Sequence, residues 1–182
     1  TTWVKSMIAP GQDLRDKVAI IDSISQTSGV ILVITGSSIS RDYAASLLAT
    51  LKIAESKIIS CQDNDLNRVN QLEEVIRKCS ITVILAIGGG TVGDLGKRLG
   101  LLTNLPLYLV PTVIANDGLI SPISVLSSKG ISISLPGRMP DKVFIDFSIL
   151  RTAPIKFIRA AALDILSNIS ATNDWKISTP SS

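Results

Sequence analysis

The sequence predicts an α/β protein in which a parallel sheet is flanked by helices. Short aliphatic segments alternate along the chain with longer segments whose apolar residues recur at helical spacing. Hydrophobic residues make up 46% of the chain and aromatic residues only 4%, so the core must be built mainly from aliphatic side chains. Such cores are typical of parallel strands that are covered on both faces. At 182 residues, the chain can form one domain, or one domain and part of a second.

The elements of the predicted sheet follow one another in order. Each strand is a run of β-branched and aliphatic residues, and each helix carries an apolar stripe such as Val69, Leu72 and Ile76. The predicted strands are 30–35, 57–60, 81–87 and 107–110, and the predicted helices are 40–51, 66–78 and 92–102. Because strands alternate with helices, we expect right-handed crossovers and a Rossmann-like sheet.

The pattern changes after Pro111. Residues 112–118 are expected to form a loop, 124–126 and 131–135 a hairpin, and 143–146 a short strand. A long helix is expected from Pro154 onward, because proline suits a first helical turn. Its apolar stripe contains Ile158, Ala162, Ile165 and Ile169. A single helix cannot bury such a stripe, so it should dock on the sheet or begin a second, helical domain.

Composition excludes several classes of function. The net charge is only +3, and no cluster of basic residues with interleaved aromatics is present, so nucleic acid is not an expected partner. No apolar run reaches the roughly 18 residues that a membrane span requires. Cys61 and Cys79 form no CxxC motif and are expected to be free thiols of a cytoplasmic protein. The chain has no histidine, so any mechanism that depends on histidine must lie outside these residues.

The glycine-rich segment Gly88–Asp94 follows the third predicted strand and leads into a helix. Without Cβ atoms, backbone N–H groups can approach a phosphate closely, and the helix N-terminus adds a favourable dipole. The pattern Gly88-x-Gly90-x-x-Gly93 matches the dinucleotide fingerprint, although Pro111-Thr112 stands where an acid is expected after the next strand. The segment indicates a bound nucleotide or phosphorylated ligand. The alternative is a turn that only permits close packing of strand and helix.

Three segments in a fixed order are more specific than any one motif. Ala86–Lys97 contains GGG-x-x-x-D-x-x-K, Val110–Pro122 is close to VPT-x-x-S-H-D-G-x-x-S-P, and Ala161–Asn168 with Asp174-Trp175 is close to G-D-x-x-S-N…D-W. Together they resemble the glycerol-1-phosphate dehydrogenase family, which is related to iron-dependent alcohol dehydrogenases and to the dehydroquinate synthase group. The resemblance covers most of residues 29–177.

The resemblance implies a nucleotide-binding domain, 1–153, and the truncated start of a helical, metal-binding domain, 154–182. The family reduces dihydroxyacetone phosphate to sn-glycerol 1-phosphate with NADH or NADPH and with zinc, a step of phospholipid biosynthesis. Asp117 would contact the substrate as the catalytic residue, and Asp164 would be the one metal ligand in this chain. The residues that would bind NAD or NADP are Gly88, Gly89, Gly90, Thr91, Val92, Asp94, Thr112, Val113, Ile114, Ala115 and Ser121. Asp63 and Asp65 favour NAD slightly, and the sequence does not decide between the two cofactors.

The sequence also departs from the family pattern. Asn116 stands where the family has histidine, Ala115 where it has serine, and Thr91 where it often has lysine or serine. The two histidine metal ligands have no counterpart here. Because catalytic zinc usually needs about three protein ligands, the chain is expected to be inactive, or nearly so, by itself.

Three hypotheses therefore remain open. The chain is the cofactor-binding part of a glycerol-1-phosphate dehydrogenase, a non-catalytic truncated module for nucleotide binding or assembly, or a sugar-phosphate cyclase of the dehydroquinate synthase type. The segment Asn116–Pro122 favours the dehydrogenase over the cyclase. The expected partners are a nicotinamide dinucleotide and a phosphorylated small molecule. An exposed stripe on the last helix would also allow a homo-oligomer.

Overall fold

The computed structural model describes residues 29–36, 38–51 and 56–178, and within these ranges strands and helices alternate as the sequence predicts. The strands are β1 (Val30–Thr35), β2 (Ser56–Ser60), β3 (Ile81–Gly88), β4 (Leu107–Pro111), β5 (Ile123–Ser128), β6 (Ile131–Pro136) and β7 (Lys142–Val143). The helices are α1 (Ile39–Leu51), α2 (Leu66–Lys78), α3 (Gly90–Thr103), α4 (Phe147–Leu150) and α5 (Ile155–Ser178), with a 3₁₀ helix at Asp117–Ile120. The 3₁₀ helix and α4 were not predicted, and the strand expected at 143–146 is confined to Lys142–Val143.

Five strands form one parallel sheet in the order β2-β1-β3-β4-β7. The chain moves outward from β1 to β2 and then returns to the other side of β1, so the strand order reverses between β1 and β3. Thr35 at the end of β1 pairs with Ile87, and Gly88 pairs with Pro111 at the end of β4. The segments that follow β1, β3 and β4 therefore meet at one edge, where ligands bind in sheets of this kind.

The sheet is buried on both faces, which explains why its strands are almost continuously apolar. Alternate residues of β1 and β3 point to opposite faces, as strand geometry requires. Leu32, Ile84 and Ala86 face α2 and α3. Ile31, Val83 and Leu85 face α1. The α/β fold class predicted from the aliphatic runs is confirmed.

Strands β5 and β6 form the predicted antiparallel hairpin, slightly longer than expected at both ends. Lys129 and Gly130 at its tip have φ angles of 51° and 78°. Two successive residues with positive φ give the turn that matches the twist of a two-stranded hairpin. The hairpin packs against α3, with Leu126 fully buried beneath it. It thereby forms a wall beside the glycine-rich segment.

Helix α5 confirms the predicted long helix, and its apolar stripe is exposed. Ile158, Ile165 and Ile169 are 51%, 61% and 57% exposed, and the helix contacts the 3₁₀ helix. In the described ranges the stripe is thus not covered by the sheet. None of the helices in those ranges combines the length and hydrophobicity needed to cross a bilayer.

Candidate nucleotide-binding site

The glycine-rich segment forms the junction between β3 and α3. Strand β3 extends through Gly88, Gly89 is the N-cap in an extended conformation, and α3 begins at Gly90, earlier than the sequence suggested. The Gly89 carbonyl accepts the hydrogen bond from Gly93 N at 3.0 Å, which closes the first turn. The amides of Gly90, Thr91 and Val92 precede that bond, so they have no acceptor within the helix. They present N–H groups at the positive end of the helix dipole.

The glycines of this junction serve different purposes. A Cβ at Gly88 would lie 2.7 Å from Val92 Cγ2, and a Cβ at Gly89 would lie 2.8 Å from Val113 Cγ1. A Cβ at Gly90 would meet no heavy atom of the described residues within 4 Å. Gly88 and Gly89 are therefore required for close packing, whereas the missing side chain of Gly90 leaves its backbone open to an external group.

Gly90 opens onto a cleft of about 240 Å³ between the start of α3, the segment after β4, the 3₁₀ helix and the hairpin. The cleft brings together eight of the predicted residues, and these are Gly88, Gly89, Gly90, Asp94, Val113, Ile114, Ala115 and Ser121. Sequence reasoning did not identify Leu119, Ile123 and Val125 as part of it. Ile123 and Val125 alternate with Ser124 and Leu126 along the sequence, but nothing there shows that the hairpin folds back over α3.

Three further predicted residues border the cleft without lining it. Thr91 is exposed, Val92 is buried beneath Gly88, and Thr112 is buried. The Thr112 hydroxyl lies 3.3 Å from the Ser40 hydroxyl at the start of α1, and Thr112 N donates to Gly88 O at 3.0 Å. These bonds join the segments that follow β1, β3 and β4 at the carboxyl edge of the sheet.

Asp94 and Lys97 form a buried ion pair one turn into α3. The Lys97 ammonium lies 2.8 Å from Asp94 Oδ1, and the two side chains are 2% and 17% exposed. Lys97 also donates to the carbonyl of Gly118 at 2.9 Å and to the carbonyl of Ile123. Helix α3 is thereby connected to the 3₁₀ helix and to the hairpin.

The 3₁₀ helix carries the predicted catalytic residue. Asp117 begins this helix, and its side chain lies outside the described part of the structure. Asn116 is the N-cap, because its Oδ1 accepts a hydrogen bond from Gly118 N at 3.1 Å. The asparagine at the position of the expected histidine thus stabilises the local turn of the chain.

Asp164 lies on α5 with its side chain half-buried. The described residues contain no group of three or more histidine, cysteine, aspartate or glutamate side chains placed to hold a metal ion. One carboxylate does not fit a catalytic zinc, which needs about three protein ligands. The donors among the described residues therefore do not make a zinc site.

The acids that favoured NAD both have local partners. Asp63 forms an ion pair with Arg68 at 3.5 Å, and Asp65 accepts a hydrogen bond from Asn67 N at 2.8 Å as the N-cap of α2. Neighbouring Cys61 is a buried free thiol, and burial raises the pKa of that thiol. The contacts of Asp63 and Asp65 account for these two acids without a ligand.

Comparison with known proteins identifies the family of the chain. A sequence profile of the iron-containing alcohol dehydrogenases matches residues 11–154. The chain belongs to the iron-containing alcohol dehydrogenase family. The resemblance recognised from the three motifs is thereby confirmed, and the glycine-rich junction is part of the matched region.

Individual relatives agree with this membership. The chain is 34% identical over 170 residues to glycerol-1-phosphate dehydrogenase (NAD(P)+) of Thermoplasma volcanium, covering 92% of this chain and 48% of that protein. A second such enzyme, from Picrophilus torridus, is 29% identical over 180 residues, covering 96% of this chain and 51% of that protein. The chain spans about half the length of the curated relatives it matches.

Solved structures show the same fold. The iron-containing alcohol dehydrogenase of Thermotoga maritima superposes with a TM-score of 0.69 at 22% identity, covering 85% of this chain and 49% of that one. Sulfoacetaldehyde reductase of Bifidobacterium kashiwanohense, solved in complex with NAD+, superposes with a TM-score of 0.70 at 19% identity, covering 86% and 48%. At these identities the similarity establishes the fold alone.

Proposed function

We propose that the chain is the cofactor-binding part of an NAD(P)-dependent glycerol-1-phosphate dehydrogenase. The observation that carries the proposal is the open cleft at Gly90, where a Cβ would meet no described atom within 4 Å. Helix amides without acceptors lie beside this space, as a diphosphate requires. The glycerol-1-phosphate dehydrogenases among its relatives support the choice of a nicotinamide dinucleotide.

Each wall of the cleft has a role in this proposal. The amides of Gly90, Thr91 and Val92 hold the diphosphate, and Val113, Ile114 and Ala115 contact the rest of the cofactor. The apolar residues Leu119, Ile123 and Val125 form an apolar wall against which the cofactor packs. The bound dinucleotide supplies the hydride for reduction of dihydroxyacetone phosphate to sn-glycerol 1-phosphate, while the protein supplies orientation and electrostatics. Asp117, at the start of the 3₁₀ helix, contacts this substrate.

The proposal assigns the complete reaction to a protein of the relatives' length. Residues 1–153 then form the nucleotide-binding domain, and residues 154–182 begin a helical domain that covers the exposed face of α5. In such a protein Asp164 would be one ligand of a zinc ion, which would polarise the substrate carbonyl, and the other ligands would have to come from elsewhere in that protein. The free thiols are consistent with a cytoplasmic protein.

A non-catalytic nucleotide-binding module is the second candidate. The observation that favours it is the complete absence of histidine from the chain. Both candidates predict binding of NADH by the 182-residue chain and little or no reduction of dihydroxyacetone phosphate by it. They differ in a protein of the relatives' length, where only the dehydrogenase oxidises NADH upon addition of dihydroxyacetone phosphate and zinc.

Substitution of Gly90 by valine tests the proposed cofactor site. The branched side chain would occupy the space beside the amides of the first turn, so we expect NADH affinity to fall at least about tenfold. Fluorescence titration with NADH measures the affinity, and circular dichroism verifies the fold. Gly89→Val is less informative because its side chain would displace Val113.

Ala49→Val is the matched control, because it places valine at an exposed position of α1. The control should bind NADH as the wild type does. Absence of saturable NADH binding by the wild-type chain at about millimolar cofactor would overturn the proposal. Undiminished binding by the Gly90→Val variant would show that the cofactor does not use this junction.

A further inference from the structure

An acidic and a basic side chain of the cleft are paired with each other. Among the described residues that line it, the charged side chains are Asp94 and Lys97, and their charged atoms lie 2.8 Å apart. Asp94 lies one turn beyond the amides of Gly90 and Thr91 on α3. A dinucleotide diphosphate bound at those amides would therefore lie close to a carboxylate.

The contacts of Lys97 show that its ammonium is not available to a phosphate. An ammonium group has three N–H donors. Asp94 Oδ1, Gly118 O and Ile123 O accept them, and the side chain is only 2% exposed. Lys97 is thus a fixed positive charge in the wall of the cleft, held in place by one backbone carbonyl of the 3₁₀ helix and one of the hairpin.

We propose that Lys97 is a positioning residue whose charge cancels that of Asp94, so that the cleft accepts an anionic dinucleotide through backbone amides alone. The inference rests on the proposed function, since it takes the diphosphate to bind at Gly90. Charges separated by several ångströms in a partly buried cleft interact much more strongly than they do in water. An uncompensated Asp94 would consequently repel the diphosphate, and an uncompensated Lys97 would attract it.

Opposite effects of two substitutions distinguish this electrostatic role from a purely structural one. Asp94→Asn leaves the Lys97 charge in place and retains an oxygen acceptor, so NADH should bind roughly three- to tenfold more tightly. Lys97→Met leaves the Asp94 charge uncompensated, so the affinity for NADH should fall by at least the factor by which Asp94→Asn raises it. The double variant should return to within about twofold of the wild type. A purely structural pair would weaken binding in all three variants.

Salt dependence and a charge-matched control complete the experiment. The gain of the Asp94→Asn variant should shrink as sodium chloride is raised from about 0.05 M to about 0.5 M, because salt screens the exposed diphosphate. Glu74→Gln makes the same change in net charge by breaking an exposed Glu74–Lys78 pair on α2. This control should bind NADH as the wild type does.

The outcomes separate the inference from the proposed function. If the wild type binds NADH and Asp94→Asn binds it equally or more weakly, the inference is overturned and the proposed function stands. If the wild type does not bind NADH, both are overturned. If circular dichroism shows that Lys97→Met is unfolded, the affinity of Asp94→Asn and its salt dependence decide. Equal tightening by Glu74→Gln would also overturn the inference, because the effect would then come from net charge.

Discussion

At the scale of single residues, Asp141 anchors the segment that precedes β7. Its Oδ2 accepts hydrogen bonds from Leu107 N at 2.8 Å and Arg138 Nε at 3.1 Å, while its Oδ1 accepts one from Arg138 Nη2 at 2.8 Å. Burial raises the pKa of Asp141, but the bonds from Arg138 and Leu107 outweigh burial and hold the pKa below its usual value. Arg138 also donates to Asn104 Oδ1, so the network joins the end of α3 to the start of β4.

The lowered pKa of Asp141 predicts a pH-dependent contribution to stability. A depressed carboxyl pKa in the folded state stabilises the protein above the unfolded pKa of about 4, and the contribution is lost as pH falls through the folded pKa. Because Asp141 is partly exposed and solvent screens its charge, Asp141→Asn should reduce the free energy of unfolding by no more than about 1 kcal/mol at neutral pH. The difference from the wild type should shrink below about pH 4. Urea unfolding of the wild type and the variant at neutral pH and below about pH 4 measures this difference.

Asp63→Asn is the control for this effect. Its ion pair with Arg68 spans 3.5 Å and its side chain is 54% exposed. Exposed pairs contribute little, so this variant should lose no more than about half as much stability as Asp141→Asn. Equal losses in the two variants, or a difference that persists unchanged in acid, would contradict the role assigned to Asp141.

At the scale of elements, α3 approaches the sheet closely because it carries glycines at the contact. A Cβ at Gly96 would lie 3.0 Å from Ala86 Cβ and 3.0 Å from Leu107 Cδ1, whereas a Cβ at Gly93 would lie 3.7 Å from Leu109 Cδ1. The separations of 3.0 Å at Gly96 are too short for an ordinary contact, whereas the separation of 3.7 Å at Gly93 is normal. The position of α3 on β3 and β4 therefore depends on Gly96 more than on Gly93.

This difference predicts opposite effects of two alanine substitutions in one helix. Gly93→Ala should leave the free energy of unfolding unchanged or raise it, because alanine favours a helix by up to about 1 kcal/mol over glycine. Gly96→Ala should be less stable than Gly93→Ala by about 1 to 2 kcal/mol, since the fixed Ala86 methyl group cannot move away. Thermal and urea unfolding measure the difference. Equal stability of the two variants would show that α3 is not held this closely.

At the scale of the whole molecule, the sheet and its covering helices contain the core, and α5 contributes little to it. Leu99 on α3 is fully buried among aliphatic residues of β3 and β4, whereas Ile165 on α5 is 61% exposed. Apolar burial is therefore concentrated in residues 30–150. Because the apolar stripe of α5 is exposed, it can stabilise the folded protein only when another surface covers it.

Truncation of one residue in each region tests this division. Leu99→Ala should cost about 2 to 5 kcal/mol, because it removes buried contacts and leaves a cavity. Ile165→Ala should cost less than about 0.5 kcal/mol in the 182-residue chain. Urea unfolding of the two variants measures the costs. A loss at Ile165 comparable to that at Leu99 would mean that α5 is packed in solution.

The order of strands and helices through β4, the hairpin, the long last helix, the fold class and the glycine-rich junction could be predicted from the sequence, but the 3₁₀ helix and α4 were not. These features depend on local patterns: aliphatic runs such as Val30–Thr35, helical stripes such as that of Leu66–Lys78, and glycines at a strand–helix boundary. Local patterns are sufficient because hydrophobic periodicity and backbone sterics act over a few neighbouring residues. The three motifs predicted the family, and the match to residues 11–154 confirms that prediction.

Only the tertiary structure decided which residues share the cleft and what each glycine does there. The sequence does not distinguish Gly88, Gly89 and Gly90. In the structure, Val92 and Val113 leave no room for a side chain at the first two positions, whereas the third faces open space. Likewise, Lys97 lies beyond a phosphate-binding pattern, but the carbonyls of Gly118 and Ile123 bind its ammonium. Those contacts join residues that are more than twenty positions apart in the sequence. Which of such distant residues meet is determined by the packing of the whole chain rather than by local conformational preference.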